Sequence, residues 1–371
     1  MKVAVIGWEL PPAFSGGLGI HTFNLFSIIG KFVDVEIYIP KMWILYPAYP
    51  FSVKLIPITY SGMKSNYEPL IPDFNNAVRE YNDNLVSYFD PEGVNIIHCH
   101  DWITFRAGIE LKEKYGIPLV VTVHSTEMDR SGNFYPQKWI MDIEEEGMRK
   151  ADHVITVSDY TKKIVSEIYH IPARKITTIH NGLGRHFYYL PPKSYELSGY
   201  VLYFGRVTMQ KGPKFFVEAA KKVTDKMPGV KFIMAGTGEQ VEEMKLLARS
   251  LSIQENIIFT GFVNLNEAIN YYRTSDVFVL PAVSEPFGIT VLEAMSSGTP
   301  AIISTTTGVG ETLKNILKTD FWDTDLLVEY IVGVLRYRSL RSTLGSLGQI
   351  EAKRFTWENA AIETMEVYSS L

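Results

Sequence analysis

The chain has 371 residues, 46% hydrophobic and 21% charged, with a formal net charge of -5 and one cysteine, Cys99. That length suits two domains, and the apolar share can fill packed cores without any disorder signature. The charge balance excludes a dedicated nucleic-acid binder, which needs basic patches; a lone cysteine excludes an intramolecular disulfide framework and suits a reducing cytoplasm.

The opening Met1-Lys2-Val3-Ala4-Val5-Ile6-Gly7 is too short and too soon interrupted for a signal peptide, and no run reaches the roughly 18 apolar residues of a membrane span. A soluble cytoplasmic enzyme with no membrane span is therefore expected. Short β-branched runs at 2–7, 34–40, 53–58, 94–98, 118–124 and 153–157 read as strands, most of them apolar at consecutive positions. Amphipathic stretches at 17–31, 74–88, 104–115, 137–150 and 160–169 lie between them and predict helices. The alternation pauses at His180-Asn181-Gly182-Leu183-Gly184 and the proline-bearing stretch 189–199, which predicts a linker. It restarts with strands at 200–205, 230–235, 257–260, 277–280 and 301–304 and helices near 213–226, 239–250, 266–273 and 289–297. The expected fold is α/β, with two Rossmann-like, doubly wound domains over 1–188 and 189–355. A last helical pattern, 356–371, places Ala360, Ile362, Met365, Val367 and Tyr368 on its apolar spacing. It either caps the second domain or crosses back to the first.

Three constellations carry chemistry. Ser15-Gly16-Gly17-Leu18-Gly19 opens a helix, where backbone amides can approach an anion. The glycines follow Gly7 too distantly for a dinucleotide fingerprint, so a phosphate site and a plain loop both stand. Gly205-Arg206-Val207-Thr208-Met209-Gln210-Lys211-Gly212 follows a strand, and its two cations can neutralise a diphosphate leaving group without a metal. Ser284-Glu285-Pro286-Phe287-Gly288-Ile289-Thr290-Val291-Leu292-Glu293 sets one carboxylate in a tight turn and a second on the following helix, where both can accept from sugar hydroxyls.

Together these strings resemble the retaining GT-B glycosyltransferases, which include the glycogen and starch synthases and related hexosyltransferases. LPAVSEPFGITVLEAMSSGTPAIIS, from Leu280 to Ser304, resembles their Glu-x7-Glu region, and FGRVTMQKG resembles their diphosphate loop. Ala235-Gly236-Thr237-Gly238 is similar to their glycine turn, and the strand at 153–158 is similar to theirs as well. The resemblance implies two domains facing a cleft and a nucleotide-diphosphate sugar as donor, with no metal and no other cofactor. It implies that Gly17, Gly236, Arg206 and Lys211 hold the donor, that Glu285 touches the transferred sugar and that Glu293 takes the ribose hydroxyls. Amides from Phe287, Gly288, Ile289 and Thr290 would bind sugar hydroxyls or the β-phosphate. His124, in Thr122-Val123-His124-Ser125, matches the histidine beside the donor sugar, and Asp101-Trp102 resembles a strand-end motif that faces the acceptor. Glucose and a glycan acceptor, an α-glucan by first choice, follow from the glycogen-synthase resemblance. A lipid-linked or small-molecule acceptor is the alternative. An epimerase and an NAD-dependent oxidoreductase are the readings from other classes. The chain departs from the family at Asn181-Gly182-Leu183-Gly184, which lacks an aspartate, and after Gly308-Val309-Gly310-Glu311, where a glycine-rich segment is missing.

Two metal-like strings compete with this reading. Asp323-Thr324-Asp325 begins a helical pattern, where Asp is a routine cap. His98-Cys99-His100-Asp101 ends a strand, and a zinc site there would need further ligands that no second sequence cluster supplies. The aromatics Trp43, Tyr46, Tyr49, Phe51, Tyr60 and Tyr67 are candidates for stacking on acceptor sugars, for an interfacial anchor or for a packed loop.

Overall fold

The apolar runs of the first half pair side by side. Strands β1 (Lys2–Ile6), β2 (Asp34–Pro40) and β3 (Ser52–Ile56) precede a small antiparallel pair, β4 (Met63–Ser65) and β5 (Glu68–Pro69). They are followed by β6 (Val94–His100), β7 (Leu119–Val123), β8 (His153–Thr156) and β9 (Ile176–Thr178). The large sheet has the order β3-β2-β1-β6-β7-β8-β9 with every pairing parallel. Helices α1 (Gly17–Ile29), α2 (Phe74–Tyr88), α3 (Trp102–Tyr115), α4 (Glu127–Arg130), α5 (Lys138–Lys150) and α6 (Asp159–Glu167) connect the strands. The computed structural model describes residues 1–12, 17–42, 45–46, 48–60, 62–65, 68–69, 71–132 and 134–371.

The second half repeats the plan with β10 (Tyr200–Phe204), β11 (Lys231–Ala235), β12 (Ile257–Gly261), β13 (Val277–Leu280), β14 (Ala301–Ser304) and β15 (Leu317–Thr319). Their order is β12-β11-β10-β13-β14-β15, again parallel throughout. Its helices are α7 (Pro213–Lys226), α8 (Val241–Ser250), α9 (Leu265–Thr274), α10 (Ile289–Ser296), α11 (Thr324–Arg336) and α12 (Arg338–Ala352). Among the described residues, no helix is long and apolar enough to cross a membrane.

The chain divides into two compact units, one of Met1–Glu127, Pro136–Gly182 and Thr356–Leu371, the other of Met128–Tyr135 and Leu183–Phe355. The division therefore falls at Gly182/Leu183, ahead of the expected boundary at 188. The stretch 189–199, expected as a linker, is tied into the second unit. Asp276 accepts from the amides of Ser198 at 3.1 Å, Gly199 at 2.6 Å and Tyr200 at 3.0 Å, and Lys193 Nζ donates to Thr299 Oγ1 at 2.7 Å.

The last helix, α13 (Trp357–Ser369), starts at Thr356, whose hydroxyl caps the Asn359 amide. Its Trp357, Ala360, Ala361, Val367 and Tyr368 join Leu25, Phe26 and Ile29 of α1 in one core with Val3, Val5, Ile37 and Ile39. The alanines let the two helices approach. Ile362, read from sequence as part of that apolar face, instead lies 59% exposed, and Thr364 takes a buried position.

Candidate functional site

In each parallel sheet one strand has neighbours that run in opposite directions along the chain: β1 lies between β2 and β6, and β10 between β11 and β13. Connections after such strands leave to opposite faces and open a crevice at their carboxyl ends, where open α/β sheets bind ligands. In the second unit the two segments that leave this point are the loops 205–212 and 281–288.

The backbone fixes the first loop. Gly205 N donates to Ala235 O at 3.0 Å and Val207 N to Thr237 O at 2.8 Å, lacing it to the turn after β11. Gly236 stands at φ +140°, and a Cβ there would meet Gly205 O at 1.9 Å. Its amide already donates to Gly261 O at 3.0 Å, so what Gly236 supplies is the absence of a side chain. Tyr203 donates its hydroxyl to Arg206 O at 2.7 Å, while the Arg206 side chain is exposed and reaches Gln210 Oε1 only at 3.4 Å. Lys211 sits on the following 3-10 turn, nearly buried, and forms an ion pair with Glu285.

Glu285 belongs to the second loop, which a short parallel bridge to Thr307 holds. Its amide donates to Thr306 O at 3.0 Å, and its carbonyl accepts from Gly308 N at 2.8 Å. Phe287, buried, accepts from Val309 N at 2.7 Å. Gly288 at φ +105° turns the chain into α10, whose first amides, at Ile289 and Thr290, have no acceptor within the helix. Glu293 lies one turn further on. Burial pushes its carboxyl up to about 7, while the hydroxyl of Tyr272, which donates to Oε2 at 2.9 Å, pulls the other way. The structure thus brings Lys211 and Glu285 together, with Arg206 in the same loop and α10 at the loop's end. Sequence reasoning missed Tyr272, whose position on α9 is an ordinary apolar one.

In the first unit the corresponding crevice lies at the ends of β1 and β6. Gly17 is the first, exposed residue of α1, and Ser15 and Gly16 lie outside the described residues. The buried Glu9 carboxyl accepts from Gly19 N at 3.0 Å, so this helix end already has an internal acceptor. Asp101 takes φ +58° after β6, and its Oδ1 accepts from the amides of His124 at 2.7 Å and Ser125 at 3.4 Å. This carboxylate, read from sequence as acceptor-facing, holds the backbone at His124 in place.

Four imidazoles gather behind Asp101. His98 and His100 point to the same face of β6 and stack at 4.5 Å, and His124 stacks on His100 at 5.2 Å. His21 of α1 meets His124 edge-on at 4.4 Å. Burial lowers all four, His21 to about 4 and His98 to about 3, so the rings are neutral at pH 7. The sequence showed no partners for His98 and His100; helix packing and the adjacent strand provide them.

The rival readings also take definite form. Asp323 caps α11, accepting from Leu326 N at 3.0 Å, and Asp325 pairs with Lys222 at 2.6 Å. Tyr49 and Phe51 stack at 5.4 Å and pack against the α1 core, and the Tyr49 hydroxyl donates to Pro11 O at 2.6 Å. Tyr46 and Tyr60 are exposed, and Trp43 and Tyr67 lie outside the described residues.

Residues 192–342 match the family described as glycosyl transferases group 1, and residues 16–184 match glycosyltransferase family 4. An uncharacterized glycosyltransferase of Methanocaldococcus jannaschii is 29% identical over 99% of this chain and 98% of its own. A glycogen synthase of Mycobacterium tuberculosis is 23% identical over 85% of this chain and 80% of its own. Among solved structures, sucrose-phosphate synthase of Thermosynechococcus elongatus superposes with a TM-score of 0.83 at 19% identity, covering 100% of this chain and 98% of that one. The Anabaena protein HepE, in complex with UDP and glucose, gives 0.77 at 18% identity with both chains fully covered, 100% each.

Proposed function

We propose a specific reaction for this chain, which belongs to the group 1 glycosyltransferases and has their GT-B fold. It moves a hexose, glucose by first choice, from a nucleoside-diphosphate sugar to a glycan acceptor. Anomeric configuration is retained, and no metal takes part. The observation that carries this reading is the Lys211–Glu285 ion pair at the carboxyl end of the second sheet, beside Arg206 and the first amides of α10. Without a ligand, each charge neutralises the other. A diphosphate displaces Glu285 from Lys211, and the released carboxylate accepts from hydroxyls of the transferred sugar. Negative charge grows on the leaving diphosphate as the glycosidic bond breaks, and fixed cations and helix amides stabilise it most at that moment. Glu293 grips the ribose diol, and Phe287, Gly288, Ile289 and Thr290 present backbone to the sugar or β-phosphate. The place of His124 beside the sugar rests on the resemblance of 122–127, and that of Gly17 and Gly236 on the glycine strings.

The likeness to a glycogen synthase and to a fold relative holding UDP and glucose supports a glucosyl donor and a glycan acceptor. The packing of Tyr49 and Phe51 leaves Tyr46 and Tyr60 as the exposed aromatic faces of the described part of that stretch. The test supplies labelled UDP-, ADP- and GDP-glucose with maltooligosaccharides in one tube and lipid extract in another. Lengthened oligosaccharide with an α-linkage is the expected product. Label confined to the organic phase would replace the glycan with a lipid acceptor.

A further inference from the structure

The histidine cluster of the first unit contains more nitrogen lone pairs than it has partners for. His98 is satisfied at both nitrogens, by the Tyr368 hydroxyl at 2.5 Å and by Thr122 Oγ1 at 2.7 Å. His21 and His100 are not. His21 Nδ1 meets Asn181 Oδ1 at 2.6 Å and so carries the proton, which leaves Nε2 as a bare lone pair. His100 Nδ1 meets His124 Nε2 at 2.9 Å, and the tautomer that donates to His124 leaves His100 Nε2 bare as well. Among the described residues, both Nε2 atoms are buried without a hydrogen-bond partner. A buried acceptor left in that state has lost its hydration with nothing in exchange.

Three of the rings converge. One nitrogen from each of His21, His100 and His124 lies within 4.8 Å of those of the other two. Ring movements that also release His124 Nε2 from the His100 Nδ1 proton bring such a set to the 2.0–2.1 Å bonds that zinc makes to imidazole. Burial, helped at His100 by the neighbouring imidazoles, keeps the three rings neutral, which is the state that ligates. The Asn181 carbonyl orients His21 through its other nitrogen, as outer partners do at metal-bound histidines. His124 is half-buried, so the set can be reached from its side.

We propose that His21, His100 and His124 form a binding site for a transition-metal ion of the zinc, cobalt or nickel type, with a fourth position left for water. An all-imidazole set suits these ions and not magnesium or calcium, which take oxygen ligands. Its occupant does not serve the donor phosphates, which Arg206 and Lys211 neutralise. It engages the nitrogen of His124, so, on the reading given under Proposed function, a bound ion inhibits transfer.

The test titrates chelator-treated full-length protein with zinc by calorimetry and with cobalt by visible absorption. One ion per chain is expected, with tetrahedral cobalt bands and no heat from magnesium. His21→Ala and His100→Ala should each weaken binding at least tenfold. Asn181→Ala, the milder change, should weaken it about tenfold while leaving all three ligands in place. Circular dichroism checks that each variant is folded. Absence of stoichiometric binding, or binding of undiminished strength in Asn181→Ala and in either folded histidine variant, would overturn the site. Stoichiometric binding without loss of transferase activity would leave the site standing and contradict the placement of His124 beside the sugar.

Discussion

Ser284 donates its hydroxyl to Asp129 Oδ1 at 2.6 Å, and both residues are completely buried. Asp129 comes from 128–135, an excursion of the first half of the chain that is part of the second unit. Ser284 immediately precedes Glu285. The contact therefore fastens the loop that carries the proposed sugar-binding carboxylate to a segment 155 residues away in sequence.

Asp129→Ala removes that anchor and takes from the buried Ser284 hydroxyl the acceptor it has at 2.6 Å. The expected loss of stability is about 1–3 kcal/mol, with Ser284→Ala nearer 1 kcal/mol. Because the displaced loop holds Glu285, kcat should fall further than nucleotide affinity does. Thermal unfolding together with steady-state kinetics checks both; an Asp129→Ala protein with unchanged kcat would leave the contact purely structural.

Arg206→Ala and Lys211→Ala should each lower kcat by about a hundredfold to a thousandfold, on the order of 3 kcal/mol, with smaller changes in donor KM. In the proposed reaction the charge these residues face grows in the transition state. A pure KM effect in both variants would remove them from leaving-group stabilisation.

As the proposed acceptor for the ribose hydroxyls, Glu293 should make donor binding sensitive to pH. Its carboxyl is raised from 4.5 to about 7 by burial, so below pH 7 it is largely protonated and a poorer acceptor for ribose hydroxyls. Affinity for the intact sugar nucleotide, whose pyrophosphate does not titrate here, should weaken about tenfold from pH 8 to pH 6 and vary little in Glu293→Gln. The stability linkage has the opposite sense. A carboxyl with a raised folded-state pKa contributes fully below the unfolded value of 4.5, and that contribution is lost as pH rises through 7. Glu293→Gln should therefore gain more Tm at pH 8 than at pH 5.

Turnover should persist in excess EDTA, since in the proposed donor site Arg206 and Lys211 stand where a metal would otherwise neutralise the phosphates. Complete loss of activity, restored by Mn²⁺, would contradict this account of the donor site.

The fold was legible where the physics is local. Strands such as 200–205 and 277–280 are apolar at consecutive positions because both faces are covered, and that pattern survives in one dimension. β9 and β15, three residues each with two of the three polar, at the sheet edges, leave no such trace. α12 was hidden by its glycines. Gly345 is required because a Cβ there would lie 2.5 Å from Gly298 O, and a serine- and glycine-rich helix reads as a loop. In the site, Lys211 and Glu285 were found through motif resemblance, but their pairing was not, because it joins loops 74 residues apart. The imidazole cluster was least legible, since His21, His100 and His124 meet only once α1, β6 and β7 are packed.

The proposed donor site turns on the exchange at Lys211, from Glu285 in the ligand-free protein to diphosphate in the complex. Calorimetry of UDP binding to Glu285→Ala, alongside its transfer rate, tests that exchange. Without its carboxylate partner Lys211 is unpaired, so the variant should bind UDP at least as tightly as the parent while transfer falls a hundredfold or more. A Glu285→Ala protein that loses UDP affinity as Lys211→Ala does would contradict it, and would place Glu285 on the nucleotide instead of the sugar.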